Sequence, residues 1–187
     1  SDVSALTVEG VTGIQNKAKS LETASITESS QSRQLDNPDS VILFESGPET
    51  DLLRNFVDSL QGISPGDTSR VVCEHWEVTD FSIWNSMVST PEGREEYTGR
   101  SLVIRNPEEM RKSDIPGYRY RGVKMWGRKG VAVGKMSNLP CTLYTGEYYD
   151  ANAHVLIPQD EKLLPALWAF VKSGDHALAV RRINKKY

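Results

Sequence analysis

Residues 119–152 read RYRGVKMWGRKGVAVGKMSNLPCTLYTGEYYDAN, and this stretch decides the fold class. It holds two short apolar runs, residues 131–133 and 141–144, which glycine or proline separates from their neighbours. A third such run, residues 154–157, follows soon after. Short apolar runs bounded by Gly and Pro are typical of strands. The sequence therefore predicts a small, mostly antiparallel β-sheet.

Helices are predicted on both sides of this sheet. Apolar residues recur at helical spacing over residues 50–60, before Gly62. A second helix is predicted over residues 160–172, with Pro165 as a bend, and a third from Ser173 or Asp175 towards the C-terminus. Further strands are predicted at residues 41–45, 70–78, 101–105 and 118–125. The expected fold class is α+β, with flanking helices and a C-terminal helical pair.

The N-terminal 40 residues differ in composition from the rest. They are rich in Ser, Thr, Gln and Asn and poor in aromatic residues, which predicts a connector of linker and helix, with a helix around residues 15–23. Residues 41–187 are expected to form one domain, β-rich over residues 62–158 and helical over residues 159–187.

Length and composition exclude several classes of protein. The chain has 187 residues and only two cysteines, 68 positions apart, which argues against a disulfide framework. Its longest apolar run, residues 163–171, is too short for a bilayer span of roughly 20 residues. No secretory signal is recognised at the start, so a cytoplasmic location without a membrane partner is expected.

Charge is distributed very unevenly along the chain. Residues 1–97 hold 6 Lys+Arg against 17 Asp+Glu, whereas residues 98–187 hold 16 against 8. Residues 115–146 contain no carboxylate but six basic side chains, and six of the 15 aromatic residues lie in or beside this window. Guanidinium groups bind phosphates and aromatic faces stack on bases, so the combination favours nucleic acid as a partner.

Signals for enzyme chemistry are weak. Cys73 and His75 lie on one face of a predicted strand without a second ligand pair at metal spacing, so a structural role is favoured over metal binding. The sequence has no Gly-x-Ser-x-Gly elbow and no phosphate-binding loop. No catalytic residue, cofactor or metal is assigned to this chain.

Three motifs resemble one known family. They are K-x-W-G-R-K-G-V-A-V-G-K-M-x-N-L-P from Lys124, L-Y-T-G-E-Y-Y-D-A-N from Leu143, and G-I-S-P-G-D-T-S-R with H-W-E-V over residues 62–78. This pattern, over residues 35–187, resembles the target-recognition region of bacterial adenine-N6 DNA methyltransferases of restriction-modification and phage-defence systems (the TaqI-like C-terminal specificity domain).

The resemblance implies a division of labour. In that family a separate catalytic domain binds S-adenosylmethionine and carries an N-P-P-Y motif, whereas the region resembling this chain selects the DNA sequence. The chain has no N-P-P-Y, and Ser64, Pro65 and Val71 depart from the family pattern in the first loop. It therefore resembles a specificity domain whose expected partners are double-stranded DNA and the catalytic domain of the same polypeptide.

The residues predicted to contact DNA follow from the basic run and the resemblance. They are Arg70, Arg119, Arg121, Lys124, Trp126, Arg128, Lys129, Lys135 and Tyr144. Most of the charged residues are expected to hold phosphates, while Trp126 and Tyr144 have a role in a small β-core as the alternative. Three other functions remain open: an assembly module of a multi-subunit defence complex, a nuclease, and an RNA-binding module.

Overall fold

The computed structural model describes residues 2–5, 10–35, 37, 42 and 52–183. Contacts divide the chain into two compact units, Ser1–Thr50 and Asp51–Tyr187. Apart from residue 42, the predicted strand at residues 41–45 lies outside the described residues. That residues 1–40 connect to a catalytic domain stays a prediction.

The first unit contains a two-stranded antiparallel sheet. Strand β1 (Asp2–Ala5) pairs with β2 (Thr27–Ser30), and helices α1 (Ile14–Thr23) and α2 (Gln31–Gln34) lie before and after β2 in the sequence. The predicted helix at residues 15–23 is confirmed as α1. None of its side chains is buried within this unit.

The second unit contains a four-stranded antiparallel sheet, the first sheet, in the order β3-β10-β7-β8. Its strands are β3 (Val57–Gln61), β7 (Gly130–Gly134), β8 (Cys141–Tyr144) and β10 (Ala153–Pro158). The predicted strands at residues 131–133, 141–144 and 154–157 are thereby confirmed. Side chains alternate between the two faces: Val131 and Leu156 pack towards the C-terminal helices, whereas Val155 packs with the opposite core cluster.

A second four-stranded sheet has the order β4-β6-β5-β9. Its strands are β4 (Val72–Glu74), β5 (Trp84–Val88), β6 (Leu102–Arg105) and β9 (Tyr148–Tyr149), with β9 parallel to β5 and the other pairs antiparallel. The strand predicted at residues 101–105 is confirmed as β6. The α+β class is confirmed as well, but its strands form two sheets in this unit where one was predicted.

Two helices cover one face of the first sheet. Asp160 accepts a hydrogen bond from the backbone N–H of Lys162 and so caps a short 3₁₀ turn, Glu161–Leu163, that leads into α5 (Leu164–Ser173). Pro165 lies in the first turn of α5, where its missing N–H has no helical acceptor, so the predicted bend is wrong. Gly174, at φ 97°, separates α5 from α6 (Asp175–Ile183).

The helix predicted over residues 50–60 is wrong. Leu53–Asn55 form a single 3₁₀ turn, and Val57–Gln61 form β3. Five residues of β3 pair in register with β10, from Val57 opposite Pro158 to Gln61 opposite His154. Because strand pairing is a long-range contact, it overrides the local helical spacing.

Two predicted strands are mostly wrong. Over residues 70–78 only β4 is extended, between α3 (Thr68–Val71) and a 3₁₀ turn, His75–Glu77. Over residues 118–125 the chain makes one bridge at Arg119 and then turns into a 3₁₀ helix. Gly122 has φ 85°, a left-handed conformation that ends an extended run. The short helix α4 (Pro107–Met110) and strands β5 and β9 were not predicted.

Candidate nucleic-acid interface

Residues 119–129, here named the basic segment, follow the edge strand β3 in the opposite direction. Arg119 exchanges two backbone hydrogen bonds with Ser64, of 2.8 and 3.0 Å. Further along, Arg121 Nη1 donates to Gln61 Oε1 at 2.8 Å, and Arg128 Nη1 lies 3.4 Å from Asp58 Oδ2. As the number rises from 119 to 128, the partner's number falls from 64 to 58. The fold thus aligns these basic residues along one edge of the first sheet.

Most of the positive charge of the basic segment is accessible. Arg119, Arg121, Lys124 and Lys129 are exposed, and Arg128 is partly exposed. Within the described part of the chain, the ion pair of Arg128 with Asp58 is the one salt bridge that this segment makes. Four cations of this segment therefore make no ion pair with a carboxylate of the described residues.

Arg119 and Arg121 are positioned by polar contacts that leave their charge uncompensated. The Arg119 guanidinium donates to the carbonyl oxygen of Tyr118 at 2.9 Å. Arg121 donates to a neutral amide oxygen. Each guanidinium has five N–H donors, so both retain donors for a phosphate.

Lys135 and Arg70 are not part of the basic segment. Lys135 follows β7 at the end opposite Lys129, roughly 20 Å away along the strand. Arg70 lies in α3 and lines a hollow of about 690 Å³ together with Glu77 and Asp80. The basic segment therefore contains five of the seven predicted basic contacts, and contacts place three of them at the edge of the first sheet: Arg119, Arg121 and Arg128.

Tyr144 is a core residue, and its predicted contact with DNA is wrong. Its side chain is 1 % exposed, packs edge-to-face on Tyr149 at 5.5 Å, and donates its hydroxyl to the carbonyl oxygen of Glu147. Burial raises the pKa of Tyr144, so the hydroxyl stays protonated as a donor. The role in a small β-core that was the alternative for this ring is the one that the structure shows.

Trp126 packs against two buried clusters, one that contains Ile63 and Ile104 and one that contains Tyr149 and Val155. Its ring also reaches the surface. Its indole ring makes edge-to-face contacts with Tyr120 at 5.2 Å and Tyr148 at 4.5 Å. The structural role weighed for it from the sequence is present, but the ring is only partly buried. Its Nε1–H is buried and has no hydrogen-bond acceptor among the residues that the structure describes.

The tyrosines around Trp126 are fixed by hydrogen bonds. Tyr118 donates to the carbonyl oxygen of Pro107 at 3.2 Å, and Tyr120 donates to a carboxylate oxygen of Glu108. Burial, together with the neighbouring Tyr148 and Glu108, raises the pKa of Tyr118 to about 12. Both phenols therefore remain neutral donors at physiological pH.

A hollow of about 300 Å³ adjoins Trp126. It is lined by Asn85, Ser86, Trp126, Gly146, Glu147 and Tyr148. The sequence gave no indication of Asn85 or Ser86, because β5 has neither an alternating pattern nor a recognisable motif around these residues.

The histidines and cysteines do not form a metal centre in the described residues, where no group of three His, Cys, Asp or Glu side chains comes together. Cys73 lies in β4 but His75 begins a 3₁₀ turn, so they do not share the face of one strand as predicted. His154 and His176 line a separate hollow of about 240 Å³, and burial lowers the pKa of both.

No helix among the described residues is long and apolar enough to cross a bilayer. In comparisons with known proteins, no family model matches this chain, and no curated protein matches it either.

Proposed function

We propose that this chain is the target-recognition domain of a site-specific adenine-N6 DNA methyltransferase and that it binds duplex DNA through the basic segment. In this proposal it gives sequence specificity to a separate catalytic domain of the same polypeptide, which uses S-adenosylmethionine. The observation that carries the proposal is that contacts hold Arg119 and Arg121 beside Ser64 and Gln61 at the exposed sheet edge, with Lys124 and Lys129 exposed in the same segment.

The geometry of this edge suits a polyanion. Phosphates of a duplex recur every few ångströms along each strand. Several exposed cations within one short segment can therefore meet several phosphates. The contacts to phosphate position the domain, and neighbouring side chains then read base edges.

The one Asn-Pro pair that the structure fully describes, Asn106-Pro107, is not arranged to hold a flipped adenine in the manner of N-P-P-Y. Asn106 and Pro107 begin α4, and Asn106 Oδ1 accepts a hydrogen bond from the backbone N–H of Glu108 at 3.2 Å. Because this asparagine caps a helix, its carboxamide oxygen is not presented to a base. The proposal therefore assigns all methyl transfer to the separate domain.

The test is the salt dependence of binding to a 20-base-pair duplex, measured by fluorescence anisotropy. Four phosphate contacts give a slope of log affinity against log salt of about −3.6, at about 0.9 per contact. The variant Lys124→Ala/Lys129→Ala is expected to reduce the magnitude of this slope by about 1.8.

The matched control is Lys17→Ala/Lys19→Ala, which removes the same charge from exposed positions of α1. It is expected to keep the wild-type slope. If both double variants behave alike, or if wild-type binding is independent of salt, the proposed interface is wrong.

One observation favours an assembly module as a second function. Trp76 is 66 % exposed and Phe81 is 56 % exposed, and they directly adjoin Glu77 and Asp80, which line the 690 Å³ hollow. Exposed aromatic rings are enriched at protein interfaces. Light scattering without DNA separates the two functions: an assembly module self-associates, and Trp76→Ser returns it to the monomer, whereas a monomer at all concentrations counts against assembly of this chain with itself.

A further inference from the structure

We propose that the hollow of about 300 Å³ beside Trp126, here named the Trp126 hollow, binds a single heteroaromatic base that lies outside a base stack. This inference rests on the proposed function, because the base is expected to come from a nucleic acid held by the basic segment. It assigns a binding role to Asn85, Ser86 and Tyr148.

The hollow exists because β9 is shorter than its neighbour β5. Only Met87 and Val88 of β5 pair with β9, so Asn85 and Ser86 lie on a part of the edge that β9 does not cover. Gly146, at φ 109°, turns the chain away, and the backbone N–H of Gly127 donates to its carbonyl oxygen at 2.9 Å.

The turn at Gly146 packs closely against the backbone of Gly127. A Cβ atom on Gly146 would lie 2.8 Å from the Cα of Gly127, which no side chain tolerates without a backbone shift. The two glycines therefore fix the course of the chain beside β5. The turn that borders the hollow is thus fixed by backbone packing.

Aromatic rings form one wall of the hollow. The rings of Trp126 and Tyr148 meet at 4.5 Å with an interplanar angle of 68°. In such an edge-to-face pair the edge of one ring rests on one face of the other ring, and this contact leaves the opposite face uncovered. A planar base stacks on aromatic faces whatever its identity, so this wall suits a nucleobase.

Several other residues of the lining carry polar side chains. Among the described residues, the Asn85 amide and the hydroxyls of Ser86 and Tyr148 make no side-chain hydrogen bond, although most polar groups around them are paired. An amide offers donors and an acceptor side by side, which is the pattern that the edge of a base presents. A base in the hollow would satisfy these groups.

The carboxylate of Glu147 does not oppose a nucleotide here. Arg100 Nε lies 2.9 Å from Glu147 Oε1, and Thr145 donates to the same carboxylate from its hydroxyl at 2.8 Å. Its charge is compensated within the protein. Lys124 and Arg128 lie two residues from Trp126 on either side, so the phosphate of a bound nucleotide would be close to the basic segment.

The test uses the full 187-residue chain with duplexes that carry one unpaired nucleotide and with their fully paired counterparts. The wild type is expected to bind the bulged duplex about tenfold more tightly than the paired one. Ser86→Leu fills the hollow from an exposed position, and Asn85→Ala removes the amide. Both are expected to lose the preference while retaining the affinity and salt slope for the paired duplex.

The matched control is Ser101→Leu, an exposed serine next to β6 that does not line the hollow. It is expected to keep the preference. Equal wild-type affinity for bulged and paired duplexes, or an unchanged preference in Ser86→Leu, would overturn the inference while leaving the proposed function in place.

A second arm titrates the four free nucleosides and follows their NMR line widths. Line broadening by the wild type but not by Ser86→Leu would support a site for free bases or nucleotides. If the chain broadened the nucleoside lines but bound no duplex, the hollow would remain a base site and the proposed function would be refuted. Failure of nucleosides and bulged duplexes alike would overturn the hollow as a base site.

Discussion

The ion pair between Arg128 and Asp58 gives a prediction in which removing a charge strengthens binding. Arg128 Nη1 lies 3.4 Å from Asp58 Oδ2, and their side chains are 40 % and 47 % exposed. Replacing Asp58→Asn removes the carboxylate and leaves the guanidinium free on the edge of β3. Because exposed ion pairs contribute about 0–1 kcal/mol, the free energy of unfolding is expected to change little.

The size of the effect follows from counterion release. One additional phosphate contact makes the slope of log affinity against log salt more negative by about 0.9. The ratio of the variant's affinity to the wild-type affinity is therefore expected to be roughly eightfold larger at 0.1 M salt than at 1 M salt. Anisotropy titrations of a labelled duplex at four or five salt concentrations measure both quantities.

A matched control lies at the other edge of the same sheet. The backbone N–H of Leu143 in β8 donates to the carbonyl oxygen of Glu96, so Glu95 lies beside β8, about 14 Å from β3 across the sheet. This exceeds the Debye length of about 8 Å at physiological salt, so Glu95→Gln is expected to change the slope little. If Asp58→Asn binds no better than the wild type, or no better than Glu95→Gln, Arg128 does not face the phosphates and the reasoning is refuted.

Three further predictions concern the fold and the corrected site. Gly122→Ala places a Cβ atom 2.8 Å from the hydroxyl of Tyr149, at a residue with φ 85°. Gly127→Ala meets no atom within 4 Å and carries only the left-handed backbone penalty of about 1–2 kcal/mol. The first variant is therefore expected to lower the urea midpoint of unfolding more than the second, and equal midpoints would contradict this account. Tyr144→Phe loses one buried hydrogen bond, so the free energy of unfolding is expected to decrease by about 1 kcal/mol while the affinity for DNA stays constant. A loss of DNA affinity in a variant that is still folded would show that this ring contacts DNA. Burial lowers the pKa of His176 below 6.5, so as the pH falls through 6.5 the unfolded chain takes up a proton before the folded chain does. The free energy of unfolding therefore decreases, by at most about 1.4 kcal/mol per pH unit. His176→Phe is expected to flatten this decrease in urea melts between pH 7.5 and 5.5, and an unchanged slope would contradict the role of His176.

The sequence predicted those strands whose apolar runs are bounded by Gly or Pro. Residues 131–133, 141–144 and 154–157 became β7, β8 and β10 because a local pattern and a long-range pairing agree there. At residues 57–61 the two disagree. The apolar spacing is helical, but the unpaired edge of β10 is available and β3 forms on it.

The candidate site was only partly predictable. A run of charge without carboxylates is visible in the sequence, and it marked the basic segment. Its course beside β3 was not visible, because that course depends on the left-handed turn at Gly122 and on the bridge between Arg119 and Ser64. Asn85 and Ser86 were missed because their position beside the hollow depends on where β9 begins, at Tyr148, which is distant from them in the sequence.

Chemical-shift mapping tests the central claim most directly. Backbone amide resonances of the ¹⁵N-labelled chain would be followed as a paired duplex is added at 50 mM salt. The account predicts that the largest changes fall on residues 119–129 and on β3, and that 0.3 M salt reverses them. Changes confined to α1 or to the outer face of α5 and α6 would contradict the claim that DNA binds along this edge of the sheet.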